Sequence, residues 1–213
     1  MKRNGMTFLV LIFVLGLAPI LSAQPRFGAG IVAGINASQI QGDDSAGYNR
    51  LGVRAGFRGI VHLSEKSDFG LDLLYSMRGS TTELVPNNNS LRYVIHLDYI
   101  EVPVWISYKD WLSPDGYYRL QGFAGLSYGR LFNTRVVDVI ILEDEQDNFA
   151  KNDLSITLGA AYHLSRRFSL GVNYTRSVVP LYDNRKFLNN VGLPRYKQRL
   201  WGYFLSFQGV LEF

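Results

Sequence analysis

The chain contains no cysteine. Disulfides, thiolate metal sites and lipid attachment through a cysteine are therefore excluded. Its histidines are only His62, His96 and His163. Three scattered imidazoles without a thiol spell out no metal centre, and no cofactor is expected. Charge is also sparse, at 19% of residues with a net +4, and Lys2 and Arg3 supply two of those four positive charges. So slight an excess gives no reason to expect nucleic acid as a partner. Hydrophobic residues make up 47% of the chain. After residue 21, however, no run approaches the roughly 18 uninterrupted apolar residues of a transmembrane helix.

What is present at the N-terminus is a leader. Lys2 and Arg3 precede an apolar stretch from Phe8 to Leu21, and Leu21-Ser22-Ala23 offers small residues for cleavage before Gln24. The order positive, apolar, small is that of a secretory signal peptide, expected over 1–23, leaving 24–213 as one exported domain.

That domain reads as strands, because apolar residues recur at every second position. Phe27, Ala29, Ile31, Ala33 and Ile35 oppose Gly28, Gly30, Val32, Gly34 and Asn36. The same alternation runs through 50–62, 68–79, 154–163 and 168–175, and from Tyr117 through Tyr128. Between Tyr93 and Tyr108 the apolar phase flips from odd to even positions, which predicts a β-bulge in the fourth strand near Asp98-Tyr99. With the terminal strand the count is eight. The connections at 63–67, 109–116 and 165–167 are short, whereas 39–49, 81–92, 136–152 and 180–196 are long. Short periplasmic turns alternating with long extracellular loops, an even strand count and alternating faces predict one architecture. It is an all-β, closed, eight-stranded antiparallel transmembrane barrel in the bacterial outer membrane, with both termini periplasmic and the interior filled by side chains.

The last strand strengthens that expectation. Trp201, Tyr203, Leu205, Phe207, Leu211 and Phe213 share one face, and an exposed apolar edge of this kind would be an aggregation hazard in water. Phe207, Leu211 and Phe213 resemble the C-terminal signature of outer-membrane barrels, which implies recognition by barrel-assembly machinery during biogenesis. Leu97-Asp98-Tyr99-Ile100-Glu101-Val102-Pro103-Val104 and Gly34-Ile35-Asn36-Ala37-Ser38, after a leader ending Ser-Ala-Gln, resemble the PorT-like family of small outer-membrane β-barrels. That resemblance implies a barrel fold and a link to type IX protein secretion, though a role is not carried by a fold.

Inside a narrow lumen, Arg54, Arg58, Arg78 and Arg119 face inward, with Asp72, Glu101 and Glu212 as partners. Buried charges are costly unless paired, so these residues are expected to form an ion-pair network that holds the barrel shut. His62-Leu63-Ser64 and His163-Leu164-Ser165 match a His-x-Ser string found in a lipid A deacylase type, but both fall at turns on the periplasmic side, and no orienting third group is evident. An enzyme is therefore not expected. In the loops, Glu143, Asp144, Glu145 and Asp147 form an acidic group, and Arg185, Lys186, Arg195 and Lys197 a basic one. Loops on a rigid scaffold are where binding concentrates. The expected function is a non-enzymatic envelope protein whose loops contact a partner or envelope component, with lipid and lipopolysaccharide around the barrel. The alternatives are an accessory secretion component acting with an envelope protein partner, or a narrow channel.

Deleting Phe213 should impair assembly more than it alters the finished barrel. The measurement is the yield of heat-modifiable barrel in outer membranes against the urea midpoint of the refolded truncation. Wild-type insertion of the truncation would remove the terminal-signal argument.

Overall fold

The computed structural model describes residues 26–42, 47–81, 94–137, 148–183, 185–186 and 199–213. Eight strands follow one another along the chain: β1 (Phe27–Gln41), β2 (Arg50–His62), β3 (Ser67–Thr81), β4 (Val94–Leu112), β5 (Tyr118–Val137), β6 (Asn152–His163), β7 (Phe168–Ser177) and β8 (Trp201–Glu212). Each pairs antiparallel with its sequence neighbour, and β8 returns to β1, closing the barrel. The seam runs from Gly30↔Glu212 to Gln41↔Trp201. It is fastened at its end by the Phe213 N–H donating to the Ala29 carbonyl at 2.9 Å. The predicted leader and the acidic loop lie outside the described residues.

Alternation sets which face meets what. Ile31, Ile35, Val53, Phe57, Leu71, Leu73, Ile106, Leu126, Ile156, Leu158, Leu170, Val172 and Phe207 all stand exposed on the outer wall. Their strand neighbours Asn36, Arg54, Arg58, Asp72, Ser107, Ser127, Ser155, Thr157, Ser169, Asn173 and Ser206 are buried in the interior. An apolar wall around a polar core inverts the arrangement of a water-soluble barrel and is the pattern of a membrane-spanning one.

Toward the long-loop end that polarity turns over. Ile40, Ile95, Leu97, Tyr99, Leu131, Phe149, Leu181, Tyr182 and Leu200 form a buried apolar core within the barrel mouth. On β4 the outward positions there are polar: His96 and Asp98 replace the Ile100, Val102, Val104 and Ile106 of the lower wall. At this level β4 behaves as a strand of a soluble β-structure, hydrophobic inside and polar outside. Each fully buried Leu or Ile in such a core contributes about 1.5–3 kcal/mol.

This turnover corrects the sequence reading of β4. Its inward parity is unbroken, with Ile95, Leu97, Tyr99, Glu101, Trp105 and Ser107 all buried. The apolar phase flips because the strand leaves the membrane, so that the interior rather than the exterior is the dry side. A register shift does fall between Asp98 and Tyr99, but the extra residue belongs to β5: Tyr99 faces Leu131 and Asp98 faces Asn133, leaving Phe132 between them. Phe132 points outward and packs against Tyr75 at 6.0 Å.

The interior is close-packed around Trp105. A Cβ added to Gly70 would lie 2.0 Å from the Trp105 ring, so this strand position accommodates no side chain while the indole is in place. Gly70→Val should lower the urea midpoint of the refolded barrel by the equivalent of about 1–3 kcal/mol, the usual cost of overpacking. Combining it with Trp105→Leu should recover part of that loss. An unaltered midpoint in the single variant would show that the indole is free to move aside.

Candidate functional site

The lumen holds two linked electrostatic centres. Arg58 on β2 donates from Nε to Asp72 Oδ1 at 2.9 Å and from Nη2 to Oδ2 at 2.8 Å, a two-pronged pair across the β2–β3 ladder. Trp105 Nε1–H also donates to Asp72 Oδ1 at 3.2 Å, and its ring lies 4.7 Å from the Arg58 guanidinium. Toward the loops, Glu101 on β4 is fully buried between Arg54, at 3.2 Å, and Arg78, in direct contact. Arg78 continues to Asp153 at 2.7 Å, and Ser155 donates to the same carboxylate oxygen at 2.9 Å. The Arg78 guanidinium lies over the rings of Phe204 at 4.2 Å and Tyr99 at 4.7 Å. A charge in so dry a site is retained only when it is paired and its remaining donors are occupied or stacked. A belt of neutral groups runs alongside: Asn36 donates to Ser76 at 2.9 Å and accepts from Ser206 at 2.8 Å.

The structure thus brings Arg54, Arg58, Arg78, Asp72 and Glu101 together, and it separates two other residues expected with them. Arg119 sits half-buried at the turn-side rim, where its Nη1 donates to Tyr162 Oη at 3.5 Å and its guanidinium lies 6.0 Å from the Trp111 ring. Its parity is inward, but at the last rung of the wall a long side chain can curl out to the rim. Glu212 lies at the same mouth, in the field of Arg58, Asp68, His62 and Lys109, and outside the described ion pairs. Asp153, the missing acid, has the same parity as Ser155 and Thr157. Extending the β6 alternation one step back identifies it.

The turn-side mouth has its own polar cluster. Asp68 accepts from Lys109 Nζ at 3.0 Å, from Gln121 Nε2 at 3.5 Å, and is paired with His62 Nδ1 at 2.8 Å. Gln121 donates to Ser107 at 2.8 Å and meets His163 Nε2 at 3.1 Å. The two serines of the His-x-Ser strings serve the turns. Ser64 Oγ accepts from the Lys66 N–H at 3.3 Å, and Ser165 Oγ accepts from the N–H groups of Arg167 at 3.3 Å and Phe168 at 3.1 Å. Neither hydroxyl is directed at its histidine, so no nucleophile and base are assembled there.

At the loop end, Asp98 accepts from Tyr75 Oη at 3.2 Å and Asn133 Nδ2 at 2.8 Å, and His96 contacts Arg50. Of the expected loop contacts, Arg185 and Lys186 are described and exposed, whereas Glu143, Asp144, Glu145, Asp147, Arg195 and Lys197 lie outside the described residues. Asp183 accepts from the Arg185 N–H and from Arg199 Nε, both at 3.2 Å. Desolvation raises its pKa, but the Arg185 N–H and the Arg199 guanidinium outweigh it and hold the carboxyl below its ordinary range. Phe207, Leu211 and Phe213 all stand exposed on the outer wall.

The family model of the outer membrane protein beta-barrel domain matches residues 22–183. No curated protein matches the chain. Among solved structures, Ail, the attachment invasion locus protein of Yersinia pestis, crystallised with the heparin analogue sucrose octasulfate, is 11% identical, with 88% of this chain and 99% of Ail covered and a TM-score of 0.46. Neisserial surface protein A is 10% identical over 90% of this chain and 100% of its own, with a TM-score of 0.43. OprG from Pseudomonas aeruginosa is 14% identical over 87% and 96%, with a TM-score of 0.39.

Glu101→Gln preserves shape while leaving Arg54 and Arg78 without their shared counter-charge. It should cost about 3–5 kcal/mol in urea unfolding of the refolded barrel, the range for a broken buried pair. Ser64→Ala, which removes a single exposed turn contact, should fall within about 0.5 kcal/mol of the parent. Equal midpoints for the two variants would mean that water already reaches Glu101.

Proposed function

The chain belongs to the outer membrane protein beta-barrel domain family, and from that footing we propose that it is a non-enzymatic, non-conducting barrel whose loop end is a folded platform for a partner or envelope component. One observation carries the reading: the apolar core of Ile40, Ile95, Leu97, Tyr99, Leu131, Phe149, Leu181, Tyr182 and Leu200 inside the loop-side mouth. It lies in series with the ion-pair layer below it, so a solute would meet two closures, one charged and one dry. A channel gains nothing from ordering its mouth in this way, whereas a binding surface gains rigidity, which lowers the entropy lost on association. In this reading residues 1–23 are removed on export, the termini and short turns face the periplasm, and the loops face outward.

The narrower PorT-like assignment, and with it an accessory role in a type IX-like secretion system, has its support in the segment Leu97–Val104. Its polar and aromatic residues have structural tasks. Tyr99 fills the mouth core, Glu101 centres the ion pairs, and Asp98 ties β4 to Tyr75 and Asn133. A secretion role would therefore reside in the loops as well.

Planar bilayers containing the purified barrel should show no discrete conductance steps. Steps that change when Arg54 is neutralised would replace this reading with a channel. Exchanging Glu143–Asp147, or Arg185–Lys197, for Gly/Ser should abolish partner binding while heat-modifiable mobility is retained. Binding that survives both exchanges would overturn the loop platform, and cargo stranded in the periplasm of a deletion strain would favour the secretion role.

A further inference from the structure

The ladder between β7 and β8 ends unevenly. Its last pair is Arg176↔Tyr203, yet β8 continues to Trp201, which pairs with Gln41 of β1. Beyond Arg176 the chain stays with β6, the Val178 N–H donating to the Leu154 carbonyl at 2.7 Å. It then crosses to bridge β8 through Leu181 and Tyr182 with Leu200. The gap so left on the outer wall is a groove of about 790 Å³. Its floor is Ile156, Leu158 and Val178, with Tyr174 and Trp201 as aromatic sides, and Arg176, Arg185 and Arg199 also line it.

Among the described residues the lining contains no carboxylate. Asp183 pairs with Arg199 at 3.2 Å, and its bond from Arg185 uses the backbone N–H, so among the described residues one carboxylate stands against three guanidinium groups. Ile156, Leu158 and Tyr174 are exposed members of the lipid-facing wall, so the floor runs without a break into the surface that acyl chains cover. Arg176 stands on the same face, paired with Ile156 and one step toward the loops from Tyr174. An occupant must therefore be apolar along the wall and anionic where the wall ends. Guanidinium groups bind phosphate through paired, charge-assisted hydrogen bonds, and Trp and Tyr favour this interfacial depth.

We propose that this groove is a binding site for a phosphorylated lipid of the loop-side leaflet. One acyl chain lies along Ile156, Leu158 and Val178, and the phosphate is held by Arg176 and Arg185, with Arg199 poised by Asp183. The site rests on the outward-loop reading only for which leaflet supplies the lipid. It is independent of any protein partner.

The test is native mass spectrometry of the refolded full barrel with diphosphoryl lipid A, its dephosphorylated form, and inorganic pyrophosphate as probes. A one-to-one adduct with the diphosphoryl form is expected, weakened about tenfold by Arg176→Ala or Arg185→Ala and less by Arg→Lys at the same positions. Heat-modifiable mobility reports folding of each variant. Equal retention of the dephosphorylated lipid, or unchanged retention by the Arg176→Ala/Arg185→Ala pair, would overturn the site as ordinary lipid contact. Pyrophosphate held as tightly as lipid A would overturn the lipid in favour of a bare anion site. The Glu143–Asp147 exchange should leave the adduct intact, so loss of partner binding and loss of lipid binding are separable.

Discussion

In hydrocarbon a backbone N–H or C=O has no water to turn to, and each group left unpaired costs several kcal/mol. Everything else in this barrel descends from that constraint. It forces β8 to return to β1, so that the sheet closes on itself. Closure with only eight strands leaves a lumen as wide as its side chains. Parity then sends every second residue into that lumen. The polar residues excluded from the lipid side must find one another within it. The Arg58–Asp72 fork and the Arg54–Glu101–Arg78–Asp153 chain are the outcome. Trp105, Phe204 and Tyr99 supply ring faces where the pairing alone would leave guanidinium surface dry and bare.

Two regimes of polarity are stacked along the barrel axis, and the segment from Leu97 to Ile106 crosses between them. Below the junction the strand carries Ile100, Val102 and Val104 to the lipid and Glu101 to the lumen. Above it, Leu97 and Tyr99 are buried while Asp98 faces out. Tyr75, Phe132 and Tyr128 stand on the outer wall near the same level. Aromatic rings with a wet side are stable at such a boundary. The loop-side mouth is thus a small soluble-type β-structure built on a membrane-type one, without a change of strand.

Most of this architecture is written in the period-two pattern. The facing of β1, β2, β3, β6 and β7 follows from alternation alone, and the turn and loop lengths give the hairpin order. The central acid–arginine pairs were legible too, because a charge with inward parity has nowhere else to go. Legibility failed where a residue's surroundings, rather than its parity, decide the outcome. The phase flip in β4 has two physical causes, a bulge or a change of solvent outside the wall, and the sequence does not distinguish them. Phe132 is an extra residue only relative to its partner strand. Arg119 has inward parity but sits where a side chain can reach the rim. Asp153 lies one step before the clear alternation of β6. The groove beside Arg176 arises from unequal strand ends, which no local pattern records.

The junction between the two regimes also acts as a depth stop. A uniformly apolar wall could slide along the membrane normal at little cost. Here, sinking by one residue pair would carry Asp98, Asn133 and Gln41 toward hydrocarbon, and polar groups on a barrel's lipid face cost more the deeper they lie. Rising by one pair would strip lipid from Ile100 and its neighbours. The barrel is therefore keyed to one height. When the surrounding bilayer thins or thickens, it is the lipid that deforms, and the mouth stays level with the membrane surface.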